Sequence, residues 1–510
     1  MSKKENPSRN IFIVSFFTAI SRILGLIRDM LFSRLIGISY VADAFFIALR
    51  LPNIFRRITA EGAFSASFIP IFSKEFFISK RNSIRFSEDI LYYMIISITL
   101  LTIFVQILMP LVIYILAGGF NQNLTKLELA ISYSRITLPY IIFISLSSLG
   151  SAIINSRGRF LATSLTPIFL NLFLIGALLI PVSDLVNRGF LLSFAVSFSG
   201  IIHFVMIFFL LSKRGFSLNF RKPKKNESIN KFSNLARPQT ISGLAIQFNI
   251  LISGFIASFK EGGISILYYA ERLYQFPLAL IGISIGAVIL PYLASLNLDN
   301  QKDELKNILR NTLKFALVLI IPASIGLIVL SNLIVSVIYE YGVFGSYEVG
   351  IVSSALIGFS FGLPAFVLIR IFSSIFYSMS DTRNPLFYSL IAISINILLS
   401  IPMFIFFGII GIGYATSIAS WIHACIFYFN LREILLFQFN RGLVIDLAKI
   451  LISSSFMGIF IFYFHDKFIF LFPVISLFIL ILIGILIYFS ILFLIGVYTK
   501  DDIKTFIKNF

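Results

Sequence analysis

Nine arginines fall inside stretches that are otherwise apolar enough to lie in a bilayer: Arg22, Arg28, Arg34, Arg50, Arg56, Arg57, Arg135, Arg272 and Arg370. Only Asp29, Asp43, Glu61 and Glu271 accompany them, so these regions are net positive. A guanidinium at the bilayer centre costs about 2.5–3.5 kcal/mol on insertion scales, so it faces water, an anion or a counter-charge unless it lies near a helix end. Arg34, Arg57, Arg135 and Arg370 read as helix-end residues that extend to the headgroups. Arg22 and Arg28 are six residues apart on one helix, roughly 600° of rotation and 9 Å of rise, and can share a broad face. Only Ile11 to Ser21 precede them without charge. That segment must line an aqueous path or break, with Gly25 the candidate bend. The next segment runs from Asp43 through Arg50, Pro52, Arg56 and Arg57 to Glu61-Gly62. Pro52 and Gly62 weaken its helical ladder, and interrupted helices commonly line transport sites. Arg272 closes the run Tyr268-Tyr269-Ala270-Glu271-Arg272. Arginine suits phosphate because its planar fork donates two parallel bonds and keeps its charge. Arg22, Arg28, Arg56 and Arg272 are therefore candidate ligands for a phosphate or pyrophosphate. Asp29, Asp43, Glu61 and Glu271 are their candidate ion-pair partners, and Gly25, Pro52 and Gly62 the candidate hinges.

Other chemistries find little support. The three histidines, His203, His423 and His465, lie far apart without metal-ligand spacing, and the single Cys425 excludes a disulfide framework. No metal and no cofactor is expected. No nucleophile motif, HExxH or Gly-rich phosphate loop accompanies the acids, which argues against an intramembrane lipid phosphatase or glycosyltransferase. A channel is disfavoured because no selectivity-filter segment recurs.

The elements that must position the arginines are membrane helices. The 510 residues are 58% hydrophobic with 13% charged, against about 25% charged in soluble domains. Apolar runs bounded by breakers predict about fourteen transmembrane helices, near 10–37, 41–77, 88–118, 130–155, 160–181, 187–212, 238–259, 264–296, 307–335, 347–379, 385–406, 410–431, 442–464 and 469–498. With the N-terminus inside, 28 of the 41 Lys and Arg fall in loops and tails on that side and four on the other: Lys126, Arg188, Lys260 and Lys467. The positive-inside rule then places both termini in the cytoplasm, and the net charge of +18 reflects topology rather than nucleic-acid binding.

An internal duplication is also visible. Leu138-Pro139, Ser148 and Asn171 recur as Leu363-Pro364, Ser373 and Asn396, and Ala48-Leu49-Arg50-Leu51 resembles Ala270-Glu271-Arg272-Leu273. The expected fold is all-α and polytopic, with two six-helix lobes in parallel repeat around a central cavity plus two C-terminal helices. The boundaries are 1–212 for the first lobe, 213–237 for a basic cytoplasmic linker, 238–435 for the second lobe, and 436–510 for the additional helices and tail. The linker fixes topology and also offers charge to anionic lipids.

Ser21-Arg22-Ile23-Leu24-Gly25 through Arg28-Asp29, then Asp43-Ala44-Phe45-Phe46, Leu51-Pro52-Asn53, Arg56-Arg57 and Glu61-Gly62-Ala63-Phe64 resemble the MurJ (MviN) family of bacterial lipid II flippases. The resemblance continues through Tyr268 to Leu273, Leu290-Pro291 and Tyr377 to Pro385. It implies a fourteen-helix member of the multidrug/oligosaccharidyl-lipid/polysaccharide exporter superfamily. Such a protein carries lipid II across the bacterial inner membrane by alternating access for peptidoglycan and cell wall synthesis, without being an enzyme. It implies lipid II, membrane lipids and cell wall synthesis machinery as partners, and places Arg22, Arg28, Arg56 and Arg272 in the family's central cavity. Asp43 and Glu61 match acidic positions of the family, whereas Gln275 stands where a glutamate is expected. The undecaprenyl tail would follow a groove between the last two helices. Coupling to membrane potential or to a monovalent cation is open, with Asn249 and Asn396 as candidate contacts beside their commoner use in interhelical hydrogen bonds. Two rivals keep the fold: an exporter of another polyprenyl-linked glycan, and a drug or cation antiporter, which would need more membrane acids than are present.

Overall fold

The computed structural model describes residues 7–59, 63–158, 161–223, 227–283, 302–379, 381, 383–435, 441–468 and 472–497. The described chain is helical, with no strand among those residues, and each expected apolar segment contains at least one helix. It divides into two compact units, Met1–Ser265 with Tyr341–Phe344, and Ile266–Glu340 with Gly345–Phe510.

The first unit holds α1 (Pro7–Leu35), α2 (Tyr40–Thr59), α3 (Ala63–Ile78), α4 (Lys80–Ile107), α5 (Met109–Leu116), α6 (Leu124–Thr137), α7 (Tyr140–Asn155), α8 (Leu161–Ser164), α9 (Thr166–Leu179), α10 (Leu185–Lys213) and α11 (Glu227–Ala257). Helix α12 (Gly263–Leu278) begins in this unit and continues into the second. There follow α13 (Lys302–Val329), α14 (Ser331–Tyr339), α15 (Ser346–Ser360), α16 (Leu363–Ser378), α17 (Arg383–Phe407), α18 (Ile409–Leu435), α19 (Arg441–Phe464) and α20 (Pro473–Leu494). Among the described residues nine helical segments are long and apolar enough to cross a membrane, and each falls on an expected span.

Local chemistry explains where helices start and stop. Ser79, Asn123 and Asp184 accept from the backbone N–H of Asn82, Lys126 and Asn187 at 3.0–3.1 Å and so cap α4, α6 and α10. Proline begins several helices, where its missing N–H costs nothing: Pro110 in α5, Pro167 in α9, Pro364 in α16. The duplication is written in these boundaries. Helices α4 and α13 have both bounds displaced by 222 residues, α5 and α14 start 222 apart, and α7 and α16 are displaced by 223. The recurring Leu-Pro marks where the α6/α7 and α15/α16 spans are interrupted.

Each unit has its own core. In the first, Phe68 stacks on Phe64, Phe72 and Phe86 at 5.3–5.4 Å, backed by Leu149 and Ile207. In the second, Leu313, Phe372, Phe376, Ile450 and Tyr488 share one cluster, and the Tyr488 hydroxyl donates to the Val318 carbonyl at 2.7 Å. Lys314 holds the two C-terminal helices, reaching Asp446 of α19 at 2.8 Å and the Val497 carbonyl beyond α20 at 2.7 Å. Large apolar side chains on α20 such as Phe478 and Leu486 face outward, as lipid-facing residues must.

The basic segment expected as a linker folds back onto the first unit. Arg221 pairs with Glu88 at 2.7 Å and Asp89 at 3.2 Å, the Asn219 amide donates to Glu88 at 3.1 Å, and Ser228 donates to Glu75 at 2.5 Å.

Candidate functional site

Helix α1 runs without interruption through Gly25, and α2 through Pro52, so neither candidate hinge breaks its helix. Gly62 and Glu61 lie outside the described residues. The face of α1 bearing Arg22, Ile23 and Leu26 is exposed. Six residues on, Arg28 is buried. Its Nε and Nη2 donate to a single oxygen of Asp29 at 3.0 and 2.6 Å, and its Nη1 donates to Asn171 Oδ1 at 2.9 Å. The Asn171 amide completes the knot by donating to the Ser21 carbonyl at 3.0 Å, one turn before Gly25. Asn171 thereby ties α9 to α1 at two points. An arriving anion must share Arg28 with Asp29, which keeps the guanidinium solvated by protein and makes its release from a ligand cheaper.

Arg56 occupies a different setting. It lines a polar cavity of ≈ 110 Å³ inside the first unit together with Ser148, Ser151 and Asn155 of α7, Thr166 of α9 and His203 of α10. Among the described residues no carboxylate lines it. Nearby, Arg57 donates to Gln247 at 3.4 Å, and Arg50 packs so closely on α11 that a Cβ at Gly254 would fall 1.5 Å from its Nη1.

Arg272 belongs to the second unit. It is exposed, with its guanidinium 4.9 Å from the Tyr268 ring and an Nη2 bond of 3.2 Å to that hydroxyl. Glu271 and Gln275 are half-buried on the same helix. Arg34, Arg57 and Arg135 fall in the last turns of their helices, as expected, whereas Arg370 lies inside α16 rather than at its end. Asn396 accepts from Ser400 at 3.1 Å, an ordinary intrahelical bond.

Asp43 pairs with a lysine, not with the arginines. It is fully buried, bonded by the ammonium of Lys126, and its other oxygen accepts from the Ser265 backbone N–H at 2.8 Å and hydroxyl at 2.6 Å. Lys126 therefore sits inside the protein, 4.3 Å from the Phe120 ring, rather than in a loop at the membrane surface. Asp43 and Ser265 are 222 residues apart in the chain, the displacement that separates α4 from α13. Two glycine turns pack at the same end of the unit, also in repeat-related fashion. Gly119 donates to Ser258 Oγ at 2.9 Å, and a Cβ there would meet the Ser258 and Phe259 backbone at 2.4 Å. Val343 donates to the Arg34 carbonyl at 3.2 Å beside Gly342, where a φ of +65° and the Arg34 carbonyl in the place a Cβ would take exclude a side chain. Phe120 and Phe344, which follow the two turns, are both 1% exposed.

Sequence reasoning singled out the arginines and Asp29, which pairs with Arg28, but not the other residues that hold them. Asn171 carried a signal, as a marker of the duplication. Lys126, Ser265, Thr166 and His203 carried none, since each acquires its partner from a distant helix.

The chain is similar over nearly its whole length to proteins of one kind. The family model for "Lipid II flippase MurJ" matches residues 32–483. A probable lipid II flippase MurJ of Rhizobium tropici is 35% identical over 495 residues, covering 93% of this chain and 92% of that protein. Its counterpart in Rickettsia prowazekii is 35% identical over 504 residues, covering 97% and 99%. Among solved structures, a lipid II flippase MurJ in an inward closed conformation superposes with a TM-score of 0.79 at 28% identity, covering 94% of this chain and 98% of the other. An inward-facing multidrug resistance MATE transporter shares the fold, with a TM-score of 0.69 at 15% identity over 83% of this chain and 98% of the other. With the family model and relatives at this identity spanning nearly all of its helices, the chain belongs to the lipid II flippase MurJ family.

Proposed function

We propose that this protein is a flippase that moves lipid II from the inner to the outer leaflet of the bacterial cytoplasmic membrane by alternating access, supplying cell wall synthesis. Its membership of the family carries the reading, and the arginine chemistry supports it. The pyrophosphate is an obligate anion, and Arg22, Arg28, Arg56 and Arg272 are the side chains able to bind it bidentately. Asp29 competes for Arg28 and keeps binding reversible. Both termini lie in the cytoplasm, the helices number fourteen, and lobes 1–212 and 238–435 rock about the substrate, with 213–237 connecting them and 436–510 guiding the lipid tail. The end bearing Asp43, Lys126 and the two glycine turns is then the outer end. An empty cavity with net positive charge responds to the membrane potential at about 2.3 kcal/mol per charge per 100 mV, enough to return it after release; a monovalent cation is the other source of drive. Cell wall synthesis enzymes would receive the product.

Leaflet-resolved lipid II measurement in bacteria depleted of their own flippase and complemented with this chain tests the reading. Restored lipid II in the outer leaflet is expected. Normal membrane insertion with lipid II confined to the inner leaflet would refute it, and export of a different polyprenyl-linked glycan would favour the rival substrate.

A further inference from the structure

His203 is used by nothing described so far. It is 3% exposed on α10, and its ring lines the cavity that Arg56 also lines. Nε2 lies 2.7 Å from the Thr166 hydroxyl oxygen, and that hydroxyl donates its only proton to the Thr163 carbonyl at 2.9 Å. In the tautomer in which Thr166 keeps its bond to Thr163, the Thr166 oxygen accepts, Nε2 carries the ring proton and Nδ1 of the neutral ring is a bare lone pair. Nδ1 is buried and has no hydrogen-bond partner. A buried acceptor left without a donor is unfavourable, which calls for an occupant that donates. Phe169 lies beside the ring, with centroids 6.4 Å apart. Around the cavity α2 contributes Arg56, α7 contributes Ser148, Ser151 and Asn155, α9 contributes Thr166, and α6 contributes no lining side chain. Among the described residues Arg56 is the one charged group in the lining, which disfavours a metal cation. The ≈ 110 Å³ of space is several times the roughly 10–15 Å³ that one water needs by the same measure, room for one phosphate-sized anion.

We propose that His203 is a proton site linked to anion binding at Arg56: one proton taken up at Nδ1 gives the cavity a second positive charge and tightens its hold on a phosphate-class anion, and loss of that proton releases it. The proton comes from bulk solvent. The resulting imidazolium donates through Nε2 to Thr166 and through Nδ1 to the anion, and the same proton returns to water when the anion leaves, with no other bond made or broken. Linkage is reciprocal, so the bound anion raises the ring's proton affinity by the factor by which the proton raises the anion's. The inference rests on the flippase reading and adds a proton to its cycle. The phosphate groups of lipid II and a free oxyanion offer the same chemistry to the cavity.

The test uses the purified full chain in lipid nanodiscs, with lipid II as ligand and sulfate, which does not titrate near neutrality, as the free oxyanion. Lipid II affinity in the wild type should rise by up to tenfold for each unit fall in pH across the range in which one proton is gained, and His203→Gln should flatten this dependence while still binding. Competition by sulfate with the same slope would identify a site open to free oxyanions; a slope for lipid II without sulfate competition would identify the lipid headgroup as the occupant. Either result supports the proton site. Because His203→Gln also changes the packing around α10, ring-labelled histidine NMR on the wild type gives a second reading. The chain has three histidines, and lipid II should convert the His203 signal from neutral to charged. An unchanged His203 signal, or a slope as steep in His203→Gln as in the wild type, overturns the proton site and leaves the flippase standing. Absence of lipid II binding at every pH overturns both.

Discussion

Replacing Asp43 with asparagine removes one charge and little else. The asparagine oxygen still accepts from the Ser265 N–H and hydroxyl, which now lie at 2.8 and 2.6 Å. What is lost is the counter-ion of Lys126, whose side chain is 5% exposed against 0% for Asp43. Stranding one member of a buried pair costs about 3–5 kcal/mol, because the remaining charge is left desolvated. Asp43→Ala should cost more, since the Ser265 donors are orphaned as well, at about 1–3 kcal/mol for a buried group left unpaired. Lys126→Met alone strands Asp43 and should cost a similar amount to Asp43→Asn. The double variant Asp43→Asn with Lys126→Met leaves no ion behind, so most of the loss should be recovered, with a coupling of at least about 1 kcal/mol between the two sites. Thermal unfolding of the four purified proteins at one detergent composition provides the cycle. Additive losses, with the double variant less stable than either single one, would refute the reasoning: the two residues would then act separately and the ion pair would hold nothing.

Three further outcomes follow from the same geometry. Arg28→Ala should abolish lipid II export with the protein still inserted, and Arg28→Lys should restore only part of it, because one ammonium cannot reproduce the fork spanning Asp29 and Asn171; full export by the alanine variant in the leaflet assay would exclude a substrate role. Gly119→Ala drives a methyl into the Ser258 backbone and should destabilise the protein by more than about 1 kcal/mol, whereas Gly176→Ala, where a Cβ meets nothing, should be neutral or slightly stabilising in the same melt. Arg221→Gln leaves Glu88 and Asp89 without their cation and should speed trypsin cleavage between Lys213 and Arg237 several-fold; an unchanged cleavage rate would show that the clamp does not restrain this segment.

The helices and their duplication were legible because both are carried by local pattern. Apolar length marks the spans, and Leu-Pro marks the interrupted ones at 138 and 363. The arginines were legible as anomalies, since charge in an apolar run needs a reason. Of the partners described above, Asp29 was legible and the others were not. Lys126 looked like a surface lysine because its loop neighbours are polar, yet Asn123 caps α6 and turns Lys126 inward to Asp43, 83 residues earlier. His203 was set aside as lacking metal-ligand spacing, a local signal, whereas its relation to Thr166 depends on how α9 packs on α10. Arg370 was misjudged as a helix-end residue since α16 continues past it to Ser378.

The bond between Arg28 and Asn171 spans 143 residues, and that interval sets a timing problem for the ribosome. When α1 leaves the translocon it carries Arg22, Arg28 and Asp29, each unfavourable in hydrocarbon by roughly 2.5–3.5 kcal/mol, and the amide that will cradle Arg28 has not been synthesised. At about 5–20 residues per second, α9 emerges some 7–30 s later. The first helix must therefore be sheltered during synthesis, by the insertion machinery or a wet surface, and enters its final position only as a late passenger of the ninth.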